Sequence, residues 1–255
     1  MTLPVYGNPL SLSQIQTEFG GSNPISLSEY YAGGAYVPPG TVGYPNGGGA
    51  VAIPTNGTIS INNFFGATFF TPVTNTYTSG SGNETVPTGA LSLTITVVGA
   101  GGGGGGSYTD FGSDYYASGG GGGGAGYSLK TIAVASIDWG LTIAYSVGST
   151  SSASSTSTGT LAAGSIGITA SGGDYGGNAT QYSGGGGGNG GSATGGNTNT
   201  NGTNGDPGQS GNSSGVGGGP GGNSAASPVG DGGTGAPSPG SPDAGIGGVV
   251  IFAWT

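Results

Sequence analysis

The chain has 255 residues, of which 66 are Gly and 15 Pro, and its 10 acids against one basic side chain, Lys130, give a formal net charge of -9. With neither Cys nor His, disulfides, thiolate metal sites and imidazole chemistry are excluded. So acidic a surface repels phosphate, which argues against nucleic acid and anionic membranes as partners.

Residues 1–4 lack the charged and apolar regions of a signal peptide, and no apolar stretch approaches the roughly 20 residues that span a bilayer. Neither general secretion nor membrane insertion is expected. The first 66 residues carry one short pattern three times: SLSQI at 11–15, SLSEY at 26–30 and SINNF at 60–64. A Ser that caps exposed N–H groups, followed three residues later by an amide or acid, is a helix start. The spacing predicts a helix from Leu12 to Phe19, with Leu12, Ile15 and Phe19 on one side and Gly20 as terminator. Two shorter helices, carrying Leu27 and Tyr30 and then Phe64, are predicted to end at Gly33 and Gly66. Helices this short need a partner surface, either the neighbouring repeats or another protein. Residues 37–54, rich in Pro and Gly, have too few apolar side chains for a core and are expected to run extended. Phe64, Phe65, Phe69 and Phe70 mark the passage to the second part and read as core.

The second part alternates strands with glycine runs. Leu91, Leu93, Ile95 and Val97 alternate with polar residues as in a half-buried strand. Ile137, Trp139, Leu141, Ile143, Tyr145 and Val147 repeat that pattern. Weaker strands are predicted at 127–134 and 166–170, and the apolar run 249–252 should be a central closing strand. Glycine fills 101–106, 119–124 and 184–188, then recurs every third residue at Gly202, Gly205, Gly208 and Gly211 and again at Gly215, Gly218 and Gly221. Glycine tolerates the extended three-residue-per-turn helix, and such helices side by side can bond their backbones to one another. Six glycines in that form span roughly 19 Å. A bundle within one chain fits better than collagen, whose triplet register would be continuous, or than a flexible linker.

Side-chain diversity sits between the runs. The insert 107–118 holds Tyr108, Asp110, Phe111, Asp114, Tyr115 and Tyr116; the insert 174–182 holds Tyr175 and Tyr182; a polar stretch follows at 197–204. Tyr, Ser, Gly and Asn are the residues of binding loops. Tyr127 and Tyr145 read as packing on the glycine bundle and covering its backbone surface, Tyr115 and Tyr116 fit packing and contact equally, and the polar stretch 149–160 reads as tolerant of substitution. Asp110 and Asp114 read as solvated acids in preference to a calcium site, which needs more oxygen ligands. No local motif points to a catalytic pair of carboxylates or a phosphate loop. No enzyme activity, metal or cofactor is expected.

These segments resemble known ones. SLSQIQTEFGG, NPISLSEYYAGG and the stretch ending ISINNFFGA are similar to segments recurring in tail and baseplate-associated proteins of tailed bacteriophages. LSLTITVVGAGGGGGG and the closing GGVVIFAWT are similar to the glycine-rich C-terminal domain of phage tail-fibre proteins and tail-tip adhesins. Together they cover nearly the whole chain. The resemblance implies a virion protein, made in the host cytoplasm and released by lysis, in which packed polyglycine helices form a rigid tip and the loops between them contact a host surface glycan or outer-membrane protein. On that reading the receptor-binding residues are Tyr108, Asp110, Phe111, Asp114, Tyr115, Tyr116, Tyr175 and Tyr182. Leu12, Ile15, Phe19, Leu27 and Tyr30 attach the chain to other tail or baseplate proteins. Homo-oligomers, trimers above all, are common for fibre shafts, and one copy capping a trimer is the alternative. The chain departs from the family pattern in its Asn-, Thr-, Ser- and Pro-rich stretch 197–242.

The expected fold is mainly β and irregular: a small β-sandwich with packed polyglycine II-type helices, preceded by short N-terminal α-helices and an extended connector. The expected domains are 1–66, for attachment, and 67–255. A structural decoration of head or baseplate without receptor binding is the alternative function. An ice-binding protein and a polysaccharide-degrading enzyme rank below it.

Overall fold

The computed structural model describes residues 3–49, 51–110, 112, 115–156, 160–211 and 216–255. It is mainly β, with several antiparallel sheets and, among the described residues, one α-helix. That helix is Leu12–Phe19, as the spacing predicts. Ser11 Oγ accepts the Gln14 N–H, Gln14 Oε1 accepts the Ser11 N–H at 2.8 Å, and the Gly20 N–H closes the end on Gln16. The other two Ser-capped segments are corrected from α-helices to single 3-10 turns, Leu27–Glu29 and Ile61–Phe64. The chain leaves helical geometry at Tyr30 and Phe65, before an α-turn can propagate.

The three turns are each other's partner surface. Leu3, Ile15, Phe19, Tyr30, Val37, Ile53, Phe64 and Ala67 form one buried cluster, with Phe64 edge-on to Phe19 and Tyr30. The Tyr30 hydroxyl donates to the Gly20 carbonyl at 2.9 Å, and burial, the largest cause, together with Glu29 raises its pKa. The 37–54 connector departs from its expectation. Val42–Gly43 pairs antiparallel with Val51–Ala52, and Val37 and Ile53 are fully buried where the chain re-enters the cluster.

Two five-stranded antiparallel sheets follow. The first has the order Thr198–Thr200, Tyr127–Ala133, Ser92–Val98, Val249–Trp254, Val73–Tyr77, so the closing strand is internal, as its continuous apolar run implies. The second has the order Ala193–Thr194, Thr169–Ala170, Ser154–Thr156, Thr142–Ser146, Ser81–Thr85. One buried cluster draws on both, with Leu93, Ile95, Val97, Phe252 and Trp254 from the first and Ile143 and Ala170 from the second. The strand expected over 137–147 shrinks to Thr142–Ser146. Ser136–Asp138 is a 3-10 turn because Asp138, 2% exposed, folds back: its carboxylate accepts the Ala135 and Ala162 N–H groups at 2.9 Å. Ile137 is left 78% exposed. Tyr145 does pack, but in the cluster between the sheets and not on the glycine tracts: its ring stacks on Tyr77 at 4.0 Å and lies edge-on to Phe252. Ser154 corrects the reading of 149–160 as tolerant, since it is fully buried and its Oγ accepts the Gly148 N–H at 2.8 Å.

Glu84, 4% exposed, ties the sheets together. Its Oε1 accepts Asn75 Nδ2 at 2.7 Å and Trp254 Nε1 at 2.8 Å, and its Oε2 accepts the Tyr77 hydroxyl at 2.6 Å. The hydrogen bond to this carboxylate, with burial second, pushes the Tyr77 pKa up to about 12.

The glycine runs leave the sheets as extended tracts with no ladder of their own: 99–106, 118–126, 171–179, 184–192, 201–209, 217–224, 231–236 and 243–248. Their backbone bonds go sideways, and tract 118–126 is the hub. Every N–H from Gly119 to Gly126 is bonded, at 2.8–3.0 Å, and the acceptors rotate with period three. Gly119, Gly122 and Ala125 donate to Ala236, Gly233 and Gly230; Gly120, Gly123 and Gly126 to Gly177, Asp174 and Ser171; Gly121 and Gly124 to Asp206 and Thr203. Three further tracts donate to the hub's carbonyls, through Gly102 and Gly105, through Gly185, Gly188 and Gly191, and through Gly219 and Gly222. The six neighbours also bond to one another in a closed ring: Gly176 to Gly103, Gly177 to Gly186, Gly205 to Gly188, Asp206 to Pro220, Gly235 to Gly219 and Gly233 to Gly102. Tract 243–248 lies outside, against 99–106 and 231–236. Three of the ring tracts come from 197–242, so this Asn-, Thr-, Ser- and Pro-rich stretch is built into the same lattice.

Substitutions within this lattice are expected to separate by direction, not by glycine content. A Cβ on Gly121 would overlap the Pro220 carbonyl, and one on Gly185 the Gly177 carbonyl, whereas one on Gly186 meets nothing within 4 Å. Gly121→Ala and Gly185→Ala should each cost about 3 kcal/mol through overpacking and a lost backbone bond. At roughly 2–4 °C per kcal/mol for a chain of this size, that is a Tm drop near 10 °C. Gly186→Ala should be neutral or stabilising by about 0.5 kcal/mol, since it only restricts the unfolded chain. Thermal melts of the three variants check this.

The sign at Tyr77 is also fixed. Its folded pKa lies above the unfolded value of 10.0, so the folded state keeps a proton that the unfolded state has lost. The stabilisation is complete below pH 10 and is lost as pH rises toward 12. Denaturant titrations should show a shallower alkaline loss of stability in Tyr77→Phe than in the parent.

Candidate binding tip

Tract 99–106 begins at the end of strand Ser92–Val98, and tract 118–126 returns into strand Tyr127–Ala133, so the 99 and 126 ends lie by the sheets and the 106 and 118 ends lie away from them. At that far end the 107–117 insert folds back as a hairpin, Tyr108–Asp110 against Tyr115–Ala117, with Ser210–Gly211 as a third strand. Thr109 faces Tyr116 and Asp110 faces Tyr115 in the register. The hairpin is fastened to the neighbouring tract ends. Ser238, 1% exposed, donates from Oγ to the Tyr108 carbonyl at 3.0 Å and lies 2.9 Å from Thr109 Oγ1. Gln209 and Ser118 exchange bonds, and Ser107 Oγ donates to the Gly240 carbonyl at 3.1 Å. The turn at Thr180 and Ser183 closes the same end of its two tracts and presents Tyr182, 77% exposed, whose ring lies 6.0 Å from that of Tyr115.

The residues expected to bind are therefore placed unequally. Tyr108, Tyr115 and Tyr116 are half-buried in the hairpin, and Tyr182 stands beside Tyr115. Asp110 Oδ1 accepts the Gly112 N–H at 2.9 Å. Phe111 and Asp114 lie outside the described residues. Tyr175 is not at the tip: its ring lies over Gly103, three residues short of the end of tract 99–106. Ser238, Gln209 and Val216, which bridges to Ser238, were missed because 197–242 read as a departure from the pattern. The triplet glycines within it were the signal that could have placed them.

The attachment residues are occupied from within. Ile15, Phe19 and Tyr30 are buried, and Leu12 and Leu27 pack on the same cluster. Leu12 and Leu27 are half-buried and keep part of their surface accessible. An apolar cavity of about 270 Å³ lies between the N-terminal part and the sheets, walled by Pro38, Pro39, Phe69, Phe70, Leu91 and Trp139. The Trp139 Nε1 already donates to Ala90 at 3.0 Å. Among the described residues no group of three acids could hold a metal ion, and no helix is long and apolar enough to cross a membrane.

No protein-family model matches the chain, and no curated protein matches it.

The anchor and the display residue should behave differently. Ser238→Ala removes a buried hydroxyl that serves two groups, and should cost about 1–2 kcal/mol and speed amide exchange across 108–117. Tyr182→Ala should stay within about 0.5 kcal/mol of the parent, as exposed substitutions do. Melting and hydrogen-exchange measurements on both variants decide.

Proposed function

We propose that this chain is a non-enzymatic virion protein of a bacteriophage tail, a host-binding adhesin in which a polyglycine II-type bundle carries a receptor-contacting tip. The observation that carries the reading is the hub tract: eight consecutive N–H groups bonded to three neighbours in rotation, with three further tracts bonding its carbonyls. Lateral bonding with period three is what packed three-residue helices require, because they make no bonds of their own. It stiffens a rod without disulfides, and aromatic side chains collect at its far end, which is what a contact surface on a rigid stalk needs. The two five-stranded sheets sharing one apolar cluster read as a small β-sandwich that roots the bundle. The residues before 67, with a cluster of their own, read as the attachment domain toward other tail or baseplate proteins, and the residues from 67 on as the binding domain.

The receptor is a host surface glycan or an outer-membrane protein, met by the Tyr115 and Tyr182 rings. The alternative, a decoration of the particle without receptor contact, predicts an inert tip. Particles carrying Tyr115→Ala with Tyr182→Ala should adsorb to host cells at least about tenfold more slowly, with protein incorporation unchanged. Normal adsorption with normal incorporation would remove the receptor role and leave the decoration.

A further inference from the structure

Among the described residues, the five-residue strand Val73–Tyr77 forms one border of the first sheet, with the closing strand on its inner side alone. Sheet borders in natural proteins are blunted by charge, Pro, bulges or brevity, because their free N–H and C=O groups pair with any extended chain. The other borders obey that rule. Thr198–Thr200 and Ala193–Thr194 are short, and Ser81–Thr85 carries Gly82 and Glu84. Val73–Tyr77 does not: VTNTY is β-branched and aromatic, uncharged, and lacks Gly and Pro. It is also uncovered, since residues 71–74, 76 and 78–81 are all exposed and Val73 is 39% exposed.

We propose that this border is an interface for a second copy of the same chain, pairing strand to strand about a two-fold axis through Asn75. The sequence is complementary to itself in that register. Antiparallel pairing centred on Asn75 sets Val73 opposite Tyr77 of the second copy and Thr74 opposite Thr76 of the second copy. Aromatic with β-branched and Thr with Thr are favourable cross-strand pairs, and no like charges meet. A register centred on Asn75 is symmetric whichever set of N–H groups points outward. It joins the first sheets of the two copies into one of ten strands, and a two-fold interface closes without leaving a new border. The inward side chains are already committed, Asn75 and Tyr77 to Glu84 at 2.7 and 2.6 Å, so the pairing needs no rearrangement of the core. A heterologous partner strand would gain nothing from this self-matching order, and a two-fold pair differs from the trimer that the family resemblance implies.

The test uses the full chain and two variants at the exposed, outward-facing positions. Sedimentation velocity over a concentration series should show a monomer–dimer equilibrium for the parent. Thr74→Lys with Thr76→Lys sets ammonium groups opposite each other across the axis and should weaken the dimer at least about tenfold, more at low salt. Thr74→Lys with Thr76→Glu sets Lys opposite Glu in both pairs and should restore it. All three proteins should melt within about 2 °C of one another, as surface changes do. A parent that stays monomeric or forms trimers, a doubly Lys-substituted chain that still dimerises as the parent does, or a Lys/Glu chain that does not recover would each overturn the proposal.

Discussion

Backbone polarity without side chains is the constraint on which the structure depends. A glycine tract has one donor and one acceptor per residue and nothing to shield them, so every pair buried must find a partner in another segment. The 118–126 tract meets this by distributing its donors over three neighbours and its acceptors over three others. Bonds at 2.8–3.0 Å between extended chains leave no room for a Cβ on the inward side, which is why the Gly121 and Gly122 directions end on the carbonyls of Pro220 and Gly102. Glycine loses more conformational freedom on folding than other residues. Here that cost is offset by the lateral bonds, since few side chains are available to bury.

Side chains return where the lattice ends. Asn178, Asn204 and Thr203 accept the N–H groups of Gly106, Gly190 and Asn223 at 2.7–2.8 Å, filling places where a further tract would otherwise have bonded. Asp231 does the same for Ser224. Outward positions thus terminate the bundle laterally, while inward positions must be bare. The two ends are finished by different means. Apolar sheets with Glu84 between them close one end, and a small hairpin held by Ser238 and Ser118 closes the other.

The N-terminal part follows a more familiar logic. Its three Ser-capped turns are individually too short to persist and become stable by sharing Phe19, Tyr30 and Phe64 in one cluster. Of the two partner surfaces open to such short segments, the neighbouring repeats supply the one that buries Ile15, Phe19 and Tyr30.

Local chemistry was legible from the residues alone. The Ser11 and Gln14 box set the helix Leu12–Phe19, the alternation at 91–97 set a half-buried strand, the run 249–252 marked the internal strand, and the triplet glycines announced lateral association. What depends on a distant partner was not legible. Asp138 bent the chain away from the strand that Ile137 and Leu141 suggested because its acceptors serve Ala162, 24 residues on. Val37, Ile53 and Ser154 were buried by segments remote in sequence, and Tyr175, over Gly103, was separated from Tyr182, beside Tyr115, by its position along the tract. Extended tracts that make no hydrogen bonds of their own need neighbours, and their sequence says nothing of which ones. Only the tertiary structure, by closing six tracts around a seventh, decided that.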